Sequence, residues 1–129
     1  MMMTRTILVV DDSPTIVKFV AFSLKSSGFT VVTATDGMDA VEKLSGSEQP
    51  VAMIITDLNM PNLDGYGLIE TVRQNPQHAK TPIIILSSEE GPEDKARGIE
   101  AGASTYLVKP FKSDKLLQEV NRLLQVTGR

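Results

Sequence analysis

The sequence has no cysteine and few aromatic side chains, since its four phenylalanines and two tyrosines make up only 5% of 129 residues. Without cysteine there is no disulfide framework and no thiolate metal site. The absence also suits a reducing compartment such as the cytoplasm. The scarcity of aromatic residues excludes a stacking platform for nucleic acid.

Long apolar runs and a large excess of one charge are also missing. The first apolar run, ILVV, is interrupted by two aspartates, which excludes a signal peptide, and no stretch approaches the about 18 apolar residues of a membrane span. Acidic and basic side chains are interleaved, the net charge is −3, and no basic stripe is present to bind nucleic acid. We therefore expect a monomeric, cytoplasmic protein of one domain, with no membrane insertion.

Five short apolar runs alternate with five segments of helical period. Most of the runs are continuous rather than alternating, as in parallel strands that are covered on both faces. They are TILVV (6–10), TVVTA (30–34), VAMIIT (51–56), PIIILS (82–87) and TYLVK (105–109). This order predicts an α/β fold of (βα)5 type, a doubly wound five-stranded parallel sheet with helices on both faces.

Polar residues mark the beginnings of the predicted helices. Ser13 precedes Pro14 at the first helix, and Asp36, Asp64 and Ser113 stand where side chains cap the second, third and fifth helices. The only histidine, His78, follows the third helix in the segment NPQHAK. We expect it to be an exposed loop residue.

Charged and hydroxyl side chains follow the predicted strands at their carboxyl ends. Asp11 and Asp12 follow the first strand, whereas Asp57, Ser87 and Lys109 end the third, fourth and fifth. Each aspartate alone is more simply explained as a helix cap or a solvated loop residue. Ligands of such sheets bind outside the carboxyl ends of the strands, so together these side chains predict a site.

The charges of this predicted site indicate a cation and phosphoryl chemistry. Two like charges about 4 Å apart repel by about 4 kcal/mol at an effective dielectric constant of 20, and Lys109 supplies only one positive charge. A hard divalent ion such as Mg²⁺ on Asp12 and Asp57 reduces this repulsion. Asp57 can then act as the nucleophile, while Lys109 and Ser87 bind phosphoryl oxygens.

Four motifs in register resemble those of response-regulator receiver domains, and of the CheY-type single-domain regulators of bacterial chemotaxis in particular. They are VVDDSP, DLNMPNLDG, ILSSEE and YLVKPF, and the likeness covers the chain from about Thr6 to Leu124. The resemblance implies a flavodoxin-like, CheY-like fold. It also implies that residues 1–129 form a single receiver domain with no output domain.

The resemblance implies a role for each residue of the site. By this likeness Asp57 is the phosphoacceptor, and Lys109, Ser87 and Tyr106 act in catalysis and switching. The carbonyl of Asn59 joins the magnesium ligands, and Asn59 and Glu89 set the rate of dephosphorylation. The implied metal-binding set is Asp11, Asp12, Asp57 and Asn59. Ser87 departs from the family, in which threonine is commoner, and the Lys109–Pro110 bond is expected to be cis.

The implied function is a signalling switch in a two-component system rather than an enzyme, catalysing only its own phosphorylation and dephosphorylation. A sensor histidine kinase donates the phosphoryl group in a Mg²⁺-dependent step. The surface around the fourth helix, fifth strand and fifth helix then changes its binding to a separate protein. For a chemotaxis regulator that target is the flagellar motor switch.

Three alternatives remain at this stage. The domain could be a phosphorelay shuttle that passes its phosphoryl group to another histidine phosphotransfer protein. An aspartate-nucleophile phosphatase needs a second aspartate as general acid, where this chain has Asn59. Binding of flavin mononucleotide needs a loop rich in hydroxyl and amide groups where Asp11 and Asp12 stand.

Overall fold

The computed structural model describes residues 5–46, 51–58, 60, 62–88 and 92–127, and within them five strands alternate with five helices. The strands are β1 (Thr6–Val10), β2 (Thr30–Ala34), β3 (Met53–Asp57), β4 (Ile83–Ser87) and β5 (Thr105–Val108). The helices are α1 (Pro14–Ser26), α2 (Gly37–Gly46), α3 (Gly65–Gln74), α4 (Pro92–Ala101) and α5 (Ser113–Thr127). The predicted (βα)5 order is confirmed.

All five strands pair in parallel, in the order β2-β1-β3-β4-β5. The central strands β3 and β4 are buried along their whole length, whereas the edge strands β2 and β5 are partly exposed. The order reverses direction at β1, whose two neighbours are β2 and β3. In open parallel sheets this reversal opens a crevice at the carboxyl ends of the two strands where it occurs, here β1 and β3.

Alternate residues of each strand form two separate cores, because successive side chains point to opposite faces of a sheet. One core packs under α1 and α5, and we call it the α1/α5 core: it includes Ile7, Val9, Ile55, Ile84, Val20, Leu24, Leu116 and Val120. The other packs under α2 and α3, and we call it the α2/α3 core: it includes Leu8, Val10, Ile54, Ile85, Ala40, Leu44, Leu68 and Ile69.

Most of the predicted helix starts are confirmed. The side chain of Ser13 accepts a hydrogen bond from Ile16 N, and that of Asp64 accepts one from Gly67 N. Asp36 Oδ1 likewise accepts from the backbone N–H at the start of α2. Ser113 differs, because α5 begins at that residue and its hydroxyl donates to Ser23 Oγ at 2.9 Å.

The prediction that His78 is exposed is wrong. Only 1% of the residue is accessible, and its Nδ1 lies 3.2 Å from Thr81 Oγ1. The loop folds back under Arg73, whose guanidinium donates to the carbonyls of His78 (3.2 Å) and Thr81 (2.7 Å). These contacts draw the segment onto the protein, and burial lowers the pKa of the histidine.

The same arginine joins two loops that are distant in sequence. Arg73 Nε and Nη2 also donate to the carbonyl of Gly102, at 3.0 and 2.7 Å, in the turn after α4. Gly102 has a φ of 122°, a conformation that glycine adopts without strain.

No helix in the described part of the chain has the length and apolar character needed to cross a membrane.

Candidate functional site

The site lies at the reversal of strand order. Asp11 directly follows β1, and Asp57 is the last residue of β3, the strand that pairs with β1. Parallel strands end at the same edge of the sheet, so the two carboxylates meet although 46 positions separate them (57 minus 11). The predicted convergence of strand ends is confirmed by this geometry.

Three carboxylates form a cluster at this edge. One oxygen from each of Asp11, Asp12 and Asp57 lies within 4.8 Å of the others. Asp11 and Asp57 are buried, with 1% and 7% of each residue accessible, whereas Asp12 is exposed. The cluster therefore has a shielded floor and one side open to solvent.

Lys109 brings a single ammonium group into the cluster. Its Nζ lies 3.0 Å from Asp11 Oδ2 and 3.5 Å from Asp57 Oδ1. The backbone N–H of Lys109 donates to the carbonyl of Ser87 at 2.8 Å, which fixes the start of the loop after β5 against the end of β4. The bond from Lys109 to Pro110 is cis, as expected.

The carboxylate of Asp57 is held in a defined orientation. Its Oδ1 accepts a hydrogen bond of 2.8 Å from Leu58 N in addition to the contact with Lys109. Burial, and secondly the charge of Asp11, raise the pKa of Asp57, while Lys109 and the Leu58 N–H act in the opposite direction. Burial thus makes this carboxylate more basic than an ordinary surface aspartate.

Ser87 and Tyr106 lie on one face of the sheet. Ser87 is fully buried at the end of β4, two residues beyond Ile85, which pairs with Tyr106 on β5. Because side chains alternate along strands, all three project towards the α2/α3 core. The ring of Tyr106 is partly buried against that core. The site is therefore adjacent, through β4, to the face that α4 covers.

Asn59 and Glu89 lie outside the described residues. Their predicted roles in metal binding and in dephosphorylation therefore stay predictions.

The loop that precedes α3 is fastened to two neighbouring elements. Asn62, which has a φ of 71°, donates through its Nδ2 to Asp36 Oδ2 at 2.7 Å. Gly65 N donates to the carbonyl of Leu58, and a Cβ at Gly65 would collide with the backbone of Asp57 and Leu58. Sequence reasoning missed these supports, although the Asn and Gly of the motif MPNLDG signal a special backbone.

The donor set fits a hard divalent cation. Every clustered ligand atom is a carboxylate oxygen, the type that Mg²⁺ binds, and none is a thiolate or imidazole. Three carboxylates and one ammonium leave a formal charge of −2 (−3 plus +1), which one divalent ion balances. The cluster can therefore hold such an ion and, through it, an oxyanion.

The chain matches a family model. Residues 7–121 match the model described as the response regulator receiver domain. The chain is also 40% identical over 111 residues to the protein PilG of Pseudomonas aeruginosa, an alignment that covers 86% of this chain and 81% of PilG. It spans between 15% and 51% of the length of four other curated relatives, two of which are transcriptional regulators called PrrA.

Two solved structures show the same fold. The chemotaxis response regulator CheY4 of Vibrio cholerae is 38% identical, with a TM-score of 0.88 over 95% of this chain and 100% of CheY4. The receiver domain of the sensor histidine kinase PA1611 from Pseudomonas aeruginosa is 30% identical, with a TM-score of 0.86 over 95% of this chain and 99% of that domain. The PA1611 structure contains a magnesium ion coordinated in the active site cleft.

Proposed function

The chain belongs to the family of response regulator receiver domains, and from this premise we propose that it is a phosphorylation-controlled switch whose phosphoacceptor is Asp57. The observation that carries the proposal is the cluster of Asp11, Asp12, Asp57 and Lys109 at the reversal of strand order. A buried, basic carboxylate next to one ammonium group suits attack on a phosphoryl group.

Mg²⁺ is the cofactor we propose for this site. Both oxygens of Asp11 are engaged, Oδ1 by Ser13 N at 2.9 Å and Oδ2 by Lys109 at 3.0 Å. Asp12 and Asp57 would hold the ion, and Asp11 would add mainly negative charge. When bound, the ion neutralises charge on the attacking carboxylate and on the phosphoryl oxygens.

We assign Asp57 Oδ2 as the attacking atom. Oδ1 already accepts from Leu58 N and contacts Lys109, so this oxygen is fixed. In the transfer the bond between phosphorus and the imidazole nitrogen of the donor breaks, and a bond from phosphorus to Oδ2 forms. The imidazole nitrogen keeps the electron pair of the broken bond. Lys109 then exchanges part of its contact with Asp11 for a phosphoryl oxygen.

Ser87 and Tyr106 are the residues we propose to transmit the change. The hydroxyl of Ser87 binds a phosphoryl oxygen, and the ring of Tyr106 turns further inward on the face that α4 covers. The adjacency of β4 to β3 and the shared face of Ser87 and Tyr106 support this route.

The donor we propose is the phosphohistidine-bearing domain of a sensor histidine kinase. A largely apolar groove of about 530 Å³ adjoins the site, and its lining includes Lys109, Ser88, Phe19 and Phe111. Phe22, on the same helix as Phe19, is 72% exposed. An apolar groove at the mouth of the site favours a protein donor over a small anion. We therefore expect Phe19→Ser, which removes a ring from the groove lining, to slow transfer from the cognate kinase severalfold and to leave transfer from acetyl phosphate unchanged.

The pathway we propose is chemosensory, because the chemotaxis response regulator CheY4 is among the similar proteins. On this proposal residues 1–129 act as one domain in the cytoplasm, catalyse only their own phosphorylation and dephosphorylation, and bind a separate protein target. The flagellar motor switch is the target that the likeness to CheY4 favours.

The phosphoacceptor is tested by intact mass after incubation with acetyl phosphate, with and without Mg²⁺. The wild type should gain one phosphoryl group only with the metal, and Asp57→Asn should gain none. Asp64→Asn is the matched control, because Asp64 caps α3 and should leave phosphorylation intact. Phosphorylation of Asp57→Asn at the wild-type rate would refute the proposal.

A further inference from the structure

Helix α4 is held by unusually little apolar burial. Among the residues of α4 whose side chains the structure describes, only Gly98 is buried. Burial of large apolar side chains is the main force that fixes a helix on a sheet, and this part of α4 contains no such side chain that is fully buried. Its position therefore depends on a few specific contacts.

One of these contacts joins the middle of α4 to α3. The guanidinium carbon of Arg97 lies 3.9 Å from the centroid of the Tyr66 ring, a cation–π geometry. The hydroxyl of Tyr66 lies 3.5 Å from the backbone carbonyl of Asp94, one turn earlier on α4. Tyr66 thus contacts two successive turns of the helix.

The far end of α4 is fastened more firmly. Arg73 donates two hydrogen bonds, of 3.0 and 2.7 Å, to the carbonyl of Gly102, the residue that follows the helix. The same guanidinium donates to the carbonyl of Thr81 at 2.7 Å, so the position of the Arg73 side chain does not depend on α4 alone. Charge-assisted hydrogen bonds therefore fix the turn at Gly102, whereas the ring and the hydroxyl of Tyr66 contact the turns of α4 that precede it.

Next to Arg97, α4 packs against the sheet at Gly98, beside the proposed switch residue Tyr106. A Cβ at Gly98 would lie 2.6 Å from Ile85 Cδ1 and 3.6 Å from Tyr106 Cδ2. The helix backbone at Gly98 therefore packs too closely on Ile85 to admit a side chain, and the ring of Tyr106 lies beside this contact. Any rotation of this ring changes the surface on which α4 lies, and any shift of α4 changes the space for the ring.

We propose that the Tyr66–Arg97 pair is a latch that holds α4 in the position of the unphosphorylated protein. Opening the latch lets α4 pivot about its end at Gly102, which Arg73 keeps in place. The proposal rests on the proposed function of the site and adds the contact that sets its switching equilibrium. Because α4 buries so little, loss of one partly exposed cation–π pair shifts the two populations by about 2- to 5-fold.

Linkage makes this shift measurable without knowing the target. A contact present only in the unphosphorylated state weakens binding of a phosphoryl group, so its removal strengthens that binding by the same factor. Beryllium fluoride with Mg²⁺ serves as the phosphoryl analogue, and amide NMR titration reports its apparent affinity. Tyr66→Leu and Arg97→Gln should each raise that affinity about 2- to 5-fold.

The controls separate the ring contact from other effects. Tyr66→Phe keeps the ring and removes only the hydroxyl, so its affinity should stay close to that of the wild type. The double variant Tyr66→Leu/Arg97→Gln should match the single variants, because they remove one shared contact. Arg97 is exposed, so its variant tests the latch even if Tyr66→Leu does not fold.

Failure of the latch is distinguishable from failure of the proposed function. If the wild type does not bind the analogue, or Asp57→Asn binds it equally well, the phosphoacceptor proposal fails. If the wild type binds through Asp57 but both ring-contact variants bind with unchanged or weaker affinity, the latch alone is overturned.

Discussion

Helices α4 and α5 follow β4 and β5 in turn, yet they are attached to the sheet in opposite ways. Four side chains of α5 enter the α1/α5 core: Leu116, Val120, Leu123 and Leu124. By contrast, the described part of α4 fully buries only Gly98, and Ala101 is partly buried against the α2/α3 core. Its other contacts include the Tyr66–Arg97 pair and the turn at Gly102. Helix α5 is therefore fixed on the sheet by its apolar core residues. On our proposal, the contacts that position α4 are weak enough for the binding energy of a ligand to exceed them.

The largest expected effect contrasts a core residue of α5 with an apolar residue of α4. Leu116 is fully buried, so Leu116→Ala should lower the free energy of unfolding by about 2–5 kcal/mol. Ile99 is 49% exposed, so Ile99→Ala should change it by less than about 0.5 kcal/mol. Urea denaturation of both variants measures the contrast, and equal losses would contradict it.

A smaller effect is expected where α4 touches the sheet. Gly98→Ala gains up to about 1 kcal/mol of helix propensity. The new methyl group, however, meets the fully buried Ile85, and such overpacking costs about 1–3 kcal/mol. We expect a net loss of about 1 kcal/mol and a displaced Tyr106 ring, seen by NMR.

Gly46→Ala is the control for that substitution. Gly46 ends α2, and nothing lies within 4 Å of a Cβ placed there. Its replacement should leave stability unchanged or slightly higher. If Gly98→Ala were as harmless as Gly46→Ala, the close contact between α4 and the sheet would be refuted.

The smallest expected effect is a pH dependence of the free energy of unfolding, caused by His78 on the α4 side of the sheet. Burial lowers the pKa of His78 below its usual value of 6.5, so the unfolded chain takes up this proton at a higher pH than the folded chain does. The stability that neutral His78 contributes to the folded protein is complete above about pH 6.5. Below that pH it declines, by at most about 1.4 kcal/mol per pH unit.

His78→Gln isolates this contribution from other groups. Asp57 has the opposite effect on stability, because its pKa is raised above 3.8 in the folded protein. As the pH falls from that raised pKa to 3.8, the folded protein takes up a proton at Asp57 and becomes more stable relative to the unfolded chain. The stability of the wild type relative to His78→Gln should therefore shrink as the pH falls below 6.5. A difference that is independent of pH would show that the imidazole is not desolvated.

The fold and the centre of the site were predictable because both follow from patterns along the chain. Continuous runs of valine and isoleucine indicated buried parallel strands, and parallel strands bring their carboxyl ends to one edge. That rule alone places Asp11, Asp57 and Lys109 at one edge of the sheet. The electrostatic argument for a cation then followed from residue types.

The rest depended on contacts that no local pattern encodes. In sequence His78 is an ordinary loop residue. It is buried because the guanidinium of Arg73 donates hydrogen bonds to carbonyls of its loop and of Gly102, which follows α4. In sequence Gly98 is only a residue that weakens a helix, whereas the structure gives it a packing role against Ile85. Such roles arise from pairs of segments far apart in sequence.

The most direct test of the central claim is to locate the phosphoryl group itself. Borohydride reduces an aspartyl phosphate to homoserine, and peptide mass spectrometry then identifies the position. After incubation with acetyl phosphate and Mg²⁺, we predict homoserine at Asp57 alone, and none when the metal is chelated. Homoserine at Asp11 or Asp12 instead, or at Asp57 regardless of the metal, would contradict the account.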